Sequence, residues 1–154
     1  MLSEGFLETG GKILLAAILS GLIGAEREIR HKGAGLRTHI LVGIGSTLIV
    51  LTSFHVSDLY RNVTFVDPSR MIAGVITGIG FLCAGTIIRG GTVRGTQVVG
   101  LTTAASLWVV SGIGIAVGCR HYNAAIVVTL VAFFVLIVLR PLEKTLEKYF
   151  TNTT

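Results

Sequence analysis

The sequence predicts an all-α protein, a polytopic bundle of five transmembrane helices with the N-terminus outside and the C-terminus cytoplasmic. Three observations lead to this prediction. Only 14% of the 154 residues are charged, whereas a soluble domain usually has about a quarter. The charged residues are clustered, so that long uncharged runs separate them. The basic residues are also divided unequally between alternate loops.

Four uncharged runs are long enough to cross a bilayer. They contain 20 residues between Arg37 and Asp58, 18 between Arg70 and Arg89, 25 between Arg94 and Arg120, and 19 between Arg120 and Arg140. A bilayer core requires about 20 apolar residues in a helix. Because backbone groups in lipid must bond within their own segment, each run is predicted to be helical. The predicted spans are residues 37–57, 68–89, 98–119 and 121–140.

The first helix is predicted over residues 6–26, although only the 13 residues from Ile13 to Ala25 are free of charge. A secretory signal peptide is the alternative. Acidic residues precede the apolar run, and the residues that follow Ala25 make a poor cleavage site, so we expect a retained helix. The five helices would form one membrane domain, residues 1–142, followed by a short cytoplasmic tail at residues 143–154.

The sidedness prediction uses Lys and Arg in the loops. One side carries nine basic residues: Arg27, Arg30, Lys32, Arg37, Arg89, Arg94, Arg140, Lys144 and Lys148. The other side carries four: Lys12, Arg61, Arg70 and Arg120. The side with nine is therefore predicted to be cytoplasmic. A net charge of +5 is then explained by insertion into an anionic lipid bilayer, and no nucleic-acid partner is expected.

Small residues at helical spacing predict close helix packing, because they let backbones approach in lipid. The glycines concerned are Gly21, Gly74, Gly78, Gly80, Gly85, Gly114 and Gly118. The neighbour could be the same chain or a second copy, and a homodimer is expected. The dense stretch 78–85 is either a broken helix that builds an ion or substrate site or an ordinary closely packed helix. We interpret Gly90–Gly100 as a loop, with a re-entrant segment as the alternative, and expect Thr102 or Thr103 to cap the next helix.

Glu26 is the acidic residue of greatest interest, because a helix C-terminus disfavours an anion. One interpretation is a surface network in which Glu26 pairs with Arg30. The other buries Glu26 against Arg37 or Arg89 in a polar cluster. Asp67 is expected to begin the third helix as its N-cap, with a binding role beside Arg70 as the alternative.

Enzyme signatures are absent from the sequence. It contains no phosphate-binding Gly-x-x-x-x-Gly-Lys loop, no His-Glu-x-x-His and no Gly-x-Ser-x-Gly, so we expect no catalytic residues and no enzyme. No cofactor is expected either. Hydrated Mg²⁺ needs only one or two carboxylates, so contact with Mg²⁺ through Glu26 or Asp67 stays open.

Five strings, taken in order, are similar to motifs of a known family. They are Gly21-Leu22-Ile23-Gly24-Ala25-Glu26-Arg27-Glu28, Gly35-Leu36-Arg37-Thr38-His39, Asp67-Pro68-Ser69-Arg70, Gly78-Ile79-Gly80-Phe81-Leu82 and Gly100-Leu101-Thr102-Thr103-Ala104-Ala105-Ser106-Leu107-Trp108. On these strings the chain resembles the MgtC/SapB (YhiD-like) family of bacterial membrane proteins, over nearly all of its membrane portion.

The resemblance implies a five-helix, multi-pass protein of the bacterial inner (plasma) membrane. It also implies a role in magnesium homeostasis, growth at low magnesium and survival inside host cells, with the ATP synthase as a candidate partner. Family motif positions are occupied by Glu26, Arg27, Arg37, Thr38, Asp67, Arg70, Thr102 and Thr103, and Arg89 joins them as a candidate for the polar cluster.

Three departures from the family pattern limit what the resemblance implies. Cys83 stands where the family usually has Gly, and the segment Thr96–Val99 lengthens the loop Gly90–Gly100. The sequence also ends soon after Tyr149, so we expect it to lack the soluble C-terminal domain of longer members. Two functions compete: a membrane regulator or interaction protein associated with Mg²⁺ homeostasis, which we favour, and a transporter or channel for Mg²⁺ or another cation.

Overall fold

The computed structural model describes residues 2–92 and 95–151, with side chains described for residues 5–87, 98–139 and 141. Five helices and one short hairpin follow one another along the chain. They are α1 (Leu2–Ile29), α2 (Leu36–Tyr60), α3 (Ser69–Thr86), β1 (Ile88–Thr92), β2 (Gly95–Val99), α4 (Leu101–Gly118) and α5 (Tyr122–Thr151). Each helix contains a segment long and apolar enough to cross a membrane, which confirms the predicted five-helix membrane bundle.

The segment between α3 and α4 differs from the prediction. Strands β1 and β2 pair antiparallel, with Ile88 opposite Val99 and Thr92 opposite Gly95. The third helix therefore ends at Thr86 instead of residue 89, and the fourth begins at Leu101 instead of residue 98. Glycines disfavour helix here, while the β-branched residues near both strand ends favour extended backbone. The segment is a hairpin and not an irregular or re-entrant loop.

Gly100 joins the hairpin to α4. Its φ of +98° lies in the left-handed region, and a Cβ at this position would collide with the backbone carbonyl oxygen of Thr86. Only glycine fits both conditions without strain. Gly100 is also the N-cap of α4 and supplies no side-chain hydrogen bond, so the expectation that Thr102 or Thr103 caps this helix is wrong.

Helix α5 is longer than predicted. It continues through Pro141 to Thr151, and so extends into the segment expected to be a tail. Helix α1 likewise extends beyond the predicted 6–26 in both directions, and α2 beyond 37–57. Helix ends of this kind extend beyond the hydrocarbon core of the bilayer into the headgroup region. Their residues are less apolar there, so hydropathy does not mark where the helix ends.

Helix α4 lies at the centre of the bundle and contacts the other four helices. Its side chains Val110, Ile113 and Val117 pack with Ala16 and Ile23 of α1 in a cluster of buried apolar residues. The main contacts of helix α3 are with α2 and α4, and those of α5 are with α1 and α4. The positions of α3 and α5 therefore depend on α4.

Helices α2 and α4 approach each other closely through small residues. A Cβ on Gly118 would lie 2.7 Å from Cβ of Val50, and one on Gly114 would lie 2.8 Å from Cβ of Ser46. The hydroxyl groups of Ser46 and Ser111 are hydrogen-bonded at 3.0 Å, and Thr47 Oγ1 donates to the Gly114 carbonyl oxygen at 2.9 Å. Close packing and hydrogen bonds between helices are the usual stabilising contacts in lipid.

The glycines singled out from the sequence fall into two groups. Gly114 and Gly118 contact α2, and a Cβ on Gly21 would lie 3.4 Å from the Ile40 side chain. By contrast, a Cβ on any of four glycines of α3 would have no neighbour within 4 Å: Gly74, Gly78, Gly80 and Gly85. The described residues of this chain leave that face of α3 open.

The bundle has two distinct ends, because successive helices joined by short connections run antiparallel. The hairpin end contains the α1–α2 turn, the β-hairpin, the start of α4 and residues 135–139 of α5. The opposite end contains the α2–α3 connection and the α4–α5 turn, where Arg120 forms an ion pair with Glu8. Both α1 and α4 end with a non-glycine residue in the left-handed region, His31 (φ 51°) and Arg120 (φ 64°).

We predict that Gly118→Ala lowers the free energy of unfolding in detergent by about 1–3 kcal/mol, because the new methyl group must displace Val50. Gly80→Ala is the matched control, since its methyl group meets nothing. The control should change stability by less than about 1 kcal/mol. Equal effects of the two substitutions in equilibrium unfolding would contradict the α2–α4 packing.

Candidate functional site

Three charged side chains meet at the end of α1. Glu26 Oε2 accepts a hydrogen bond from Arg27 Nε at 2.6 Å, and Glu26 Oε1 lies 3.5 Å from Arg30 Nε. The side chains of Glu26 and Arg27 are only 5% and 3% exposed, whereas Arg30 is exposed. Two atoms of this group, Glu26 Oε1 and Arg27 Nη1, have no hydrogen-bond partner among the described residues. We call these three residues the α1 charge cluster.

The cluster combines parts of both sequence interpretations. Glu26 does contact Arg30, as the surface network requires, yet Glu26 is buried, as the polar cluster requires. The predicted partner Arg37 is instead exposed on α2. Arg89 belongs to β1, and its side chain lies outside the described residues. Thr38, the neighbour of Arg37, is also exposed and lines a groove between α2 and α3.

The local sequence explains how α1 ends at this cluster. His31 N–H donates to the Glu28 carbonyl oxygen at 2.9 Å, and Lys32 N–H donates to the Arg27 carbonyl oxygen at 3.0 Å. These bonds, with His31 in the left-handed region, form a Schellman-type helix end. Glu28 Oε2 then accepts from the Leu36 N–H at 3.0 Å, so that one side chain of α1 helps to begin α2.

His39 connects α2 to α4 close to the cluster. Its Nδ1 lies 2.8 Å from the Gly35 carbonyl oxygen, and its Nε2 lies 3.0 Å from Ser106 Oγ. A carbonyl oxygen only accepts, so Nδ1 carries a proton. The Ser106 hydroxyl that lies beside Nε2 donates its own proton to the Thr103 carbonyl oxygen at 2.8 Å. The ring is fully buried, and both nitrogens have partners. This arrangement fits a structural histidine that holds two helices together.

A cavity of about 680 Å³ opens between the end of α1, the start of α4 and the hairpin-end half of α5. Arg27 and Lys32 line it from the α1 side, and Thr102 and Thr103 line it from the α4 side. Thr103 is buried, while Thr102 is exposed. The cavity therefore brings together three candidate residues that are far apart in the sequence, which are Arg27, Thr102 and Thr103.

Asp67 and Arg70 lie at the opposite end of the bundle. Asp67 Oδ1 accepts from the Ser69 N–H at 2.9 Å, and Oδ2 accepts from the Ser69 hydroxyl at 2.8 Å. These hydrogen bonds lower the pKa of the Asp67 carboxyl. These contacts therefore stabilise the start of α3 above the ordinary carboxyl pKa and are lost as the pH falls through the lowered value. The N-cap residue of α3 is Pro68, so the expectation that Asp67 holds that position is wrong by one residue. Arg70 is exposed.

The candidate residues thus form two separate groups. Glu26 and Asp67 are the two candidate metal ligands, and the 25 residues of α2 separate their ends of the bundle by roughly 37 Å. One metal ion cannot contact both. Within the part of the chain that the structure describes, no three His, Cys, Asp or Glu side chains are grouped as a metal site requires. Two neighbouring guanidinium groups further disfavour a cation at Glu26.

Several residues that build this region were not singled out from the sequence. They are the buried hydroxyl residues Ser46, Thr47, Ser106 and Ser111, together with His31 and Lys32 at the turn. Ser46 and Thr47 follow Gly43 by three and four positions in α2, and Ser111, Gly114 and Gly118 are spaced by three and four positions in α4. That periodicity was readable as a polar, small-residue face within an apolar helix.

Residues 13–145 match the model of the MgtC family, which spans all five helices. The chain belongs to the MgtC family. The α1 charge cluster, Thr102 and Thr103, and the contacts of Asp67 with Ser69 are therefore features of a family member, in the motif positions noted from the sequence.

Relatives within the MgtC family are 40–45% identical to this chain over the aligned residues. YhiD of Escherichia coli strain K12, whose name designates a candidate magnesium transporter, is 45% identical over 127 residues, 81% of this chain and 57% of that protein. Protein MgtC of Salmonella typhimurium strain LT2 is 40% identical over 83% of this chain and 51% of its own length. Protein MgtC of Brucella abortus strain 2308 is 41% identical over 86% and 51%.

The chain spans about half the length of the curated relatives it matches. No solved structure matches it significantly. The family comparison shows that this is an MgtC family protein. Together with the five apolar helices, it supports a protein that crosses the membrane several times.

We predict that Glu26→Ala lowers the free energy of unfolding in detergent by about 3 kcal/mol, because it leaves the Arg27 guanidinium buried without its carboxylate. Glu26→Gln should cost clearly less, since its amide oxygen still accepts from Arg27 Nε. The check is equilibrium unfolding of both variants. If the two variants proved equally stable to within error, the buried ion pair would not be the stabilising contact.

Proposed function

We propose that this MgtC family protein is a non-catalytic regulator in magnesium homeostasis, acting from the bacterial inner membrane by contact with other membrane proteins. The N-terminus lies outside and the hairpin end faces the cytoplasm in this proposal. The unequal distribution of basic residues supports the orientation, because nine of the predicted loop positions belong to the hairpin-end side. The name of YhiD, which refers to magnesium, supports the physiological association.

The observation that carries the regulator proposal is the composition of the bundle between its two ends. No Asp, Glu, Lys or Arg occurs at positions 13–25, 38–57, 71–86, 101–118 or 122–139. The described hydroxyl groups between α2 and α4 bond to one another or to backbone carbonyl oxygens, so their donors are used within the protein. Ion pathways through membranes usually carry ionisable residues inside the bundle or rings of oxygen ligands.

A cation transporter or channel is the second candidate function. The buried Glu26 favours it, because Oε1 of this carboxylate has no hydrogen-bond partner among the described residues. In that case Glu26 would be the ion contact at the cytoplasmic entrance, and Mg²⁺ would be the transported ion. The two guanidinium groups beside Glu26 oppose this function by repelling a cation.

A flux assay separates the two functions. We predict that the purified chain in liposomes produces no Mg²⁺ or proton flux above that of protein-free liposomes, measured with entrapped Mg²⁺-sensitive and pH-sensitive dyes. A flux that Glu26→Gln abolishes, while the variant stays monodisperse, would replace the regulator with the transporter. Arg37→Gln is the control, because it changes a charge at the same end without contact to Glu26.

We propose that the contact surface for other membrane proteins is the open face of α3. A Cβ on Gly74 or Gly78 would meet no described atom within 4 Å, and both glycines line an apolar groove of about 730 Å³ between α2 and α3. Small residues spaced by four positions allow a helix from another protein to approach closely. A second copy of this chain is the first proposed partner, and the ATP synthase, which the family resemblance implies, is the second.

Disulfide crosslinking tests the homodimer. In a background with Cys83→Ala and Cys119→Ala, we predict that Gly78→Cys gives a covalent dimer in lipid on mild oxidation. Val128→Cys is the control, because Val128 is exposed on a different helix, α5. A crosslink at residue 128 alone would place the interface elsewhere, and no crosslink at either position in lipid would end the homodimer proposal.

A further inference from the structure

The cavity at the hairpin end is lined by cations and by no described acid. Arg27, His31 and Lys32 line it from the end of α1, and no Asp or Glu is among its described lining residues. The exposed fraction of Arg27 is only 3%. A guanidinium this deeply buried normally has its donors satisfied, because each unpaired buried donor carries a desolvation cost.

Arg27 has one buried donor atom without a partner among the described residues. Its Nε donates to Glu26, while Nη1 is buried and has no hydrogen-bond partner among the described residues. A guanidinium presents its donors as a fixed, planar fork that suits carboxylate and phosphate oxygens. The Arg27 side chain is thus held by Glu26 in one position, with donor capacity left for a further acceptor.

The first turn of α4 adds donors to the same cavity. Gly100, Leu101, Thr102 and Thr103 all line it. The first amide groups of a helix have no carbonyl partner within the helix, and the N-cap Gly100 has no side chain to satisfy them. The first backbone bond of this helix runs from the Ala104 N–H to the Gly100 carbonyl oxygen at 2.8 Å. The positive end of an 18-residue helix therefore faces the side of the cavity opposite Arg27.

The charge balance of this region remains positive despite Glu26. In the α1 charge cluster, one carboxylate faces two guanidinium groups, which leaves one positive charge. Lys32 adds a positive charge at the cavity wall, and Glu28, which bonds to the Leu36 N–H and does not line the cavity, subtracts one, so the turn keeps one net positive charge. The wall formed by Val135, Leu136 and Leu139 of α5 is apolar and lowers the local dielectric, which strengthens the attraction for an anion.

We propose that this cavity binds a phosphate group, held between the Arg27 guanidinium, the Lys32 ammonium and the free amide groups at the start of α4. A phosphate offers several acceptor oxygens, and helix N-termini combined with Arg or Lys are a common means of binding it. The phosphate can belong to free inorganic phosphate or to the headgroup of an anionic lipid whose chains contact the apolar wall. This inference is independent of whether the protein regulates or transports cations.

Two probes distinguish the sources. Inorganic phosphate is titrated into the full chain in a non-ionic detergent and followed by calorimetry. Separately, the chain is placed in nanodiscs containing phosphatidylglycerol or only phosphatidylcholine, and lipid that stays bound after detergent extraction is counted by native mass spectrometry. Binding in the first arm indicates free phosphate as the ligand. Retention of phosphatidylglycerol without phosphate binding indicates a lipid headgroup.

Substitutions at exposed positions avoid disturbing the buried ion pair. Lys32→Gln should weaken binding about tenfold, the loss expected for one charge-assisted hydrogen bond. Arg37→Gln is its matched control, since Arg37 lies at the same end outside the cavity lining, and should weaken binding less than about threefold. Thr102→Asp should abolish binding, because its carboxylate occupies the helix N-terminus and repels an anion, while Thr102→Ser should retain it.

The outcomes decide the proposal in both arms. Binding of either probe that Lys32→Gln and Thr102→Asp reduce, and that Arg37→Gln and Thr102→Ser preserve, supports the phosphate site. Equal losses from Lys32→Gln and Arg37→Gln would show only attraction to a basic surface and would overturn it. Absence of binding to both probes, in protein that remains folded by circular dichroism, would overturn it as well.

Discussion

The close approach of α2 to α4 is the constraint on which the rest of the structure depends. Lipid provides no hydrophobic driving force between helices, so association relies on packing and hydrogen bonds. Gly114 and Gly118 allow the approach, and the Thr47 hydroxyl bonds across it to a backbone carbonyl. Because α4 also contacts α1, α3 and α5, a change in its position against α2 would affect its contacts with all the other helices.

The helix count could be predicted from the sequence because lipid imposes it: an uncharged run of bilayer length has one stable conformation. The hairpin could not, since strand pairing and the positive φ of Gly100 depend on contacts between separate segments. The glycine pairs show the same limit. Gly74 with Gly78 and Gly114 with Gly118 have identical spacing, yet only the second pair meets another helix. Periodicity identifies a face of a helix but not its neighbour.

The candidate site was predictable in part for a similar reason. Glu26 could be expected to need a cation, because it lies at a helix C-terminus. The partners sought were one turn away or on other helices, as adjacent residues of a helix usually point apart. In the structure the Arg27 guanidinium nevertheless reaches back to Glu26, and both side chains are buried. Which basic side chain pairs with Glu26 depends on the three-dimensional shape of the space beside α4. The spacing of residues along the sequence does not describe that shape.

The two ends of the bundle differ in how their charges are satisfied. At the opposite end, Asp67 bonds to Ser69 and Arg120 pairs with Glu8, so these groups are used in local structure. At the hairpin end, Arg27 Nη1 is buried without a partner among the side chains and backbone that the structure describes, and the start of α4 has no side-chain cap. A group bound there would contact the one helix that touches all the others. A shift of the start of α4 would therefore alter the packing of α4 against α2. It would also alter its packing against α3, the helix that carries the open glycine face.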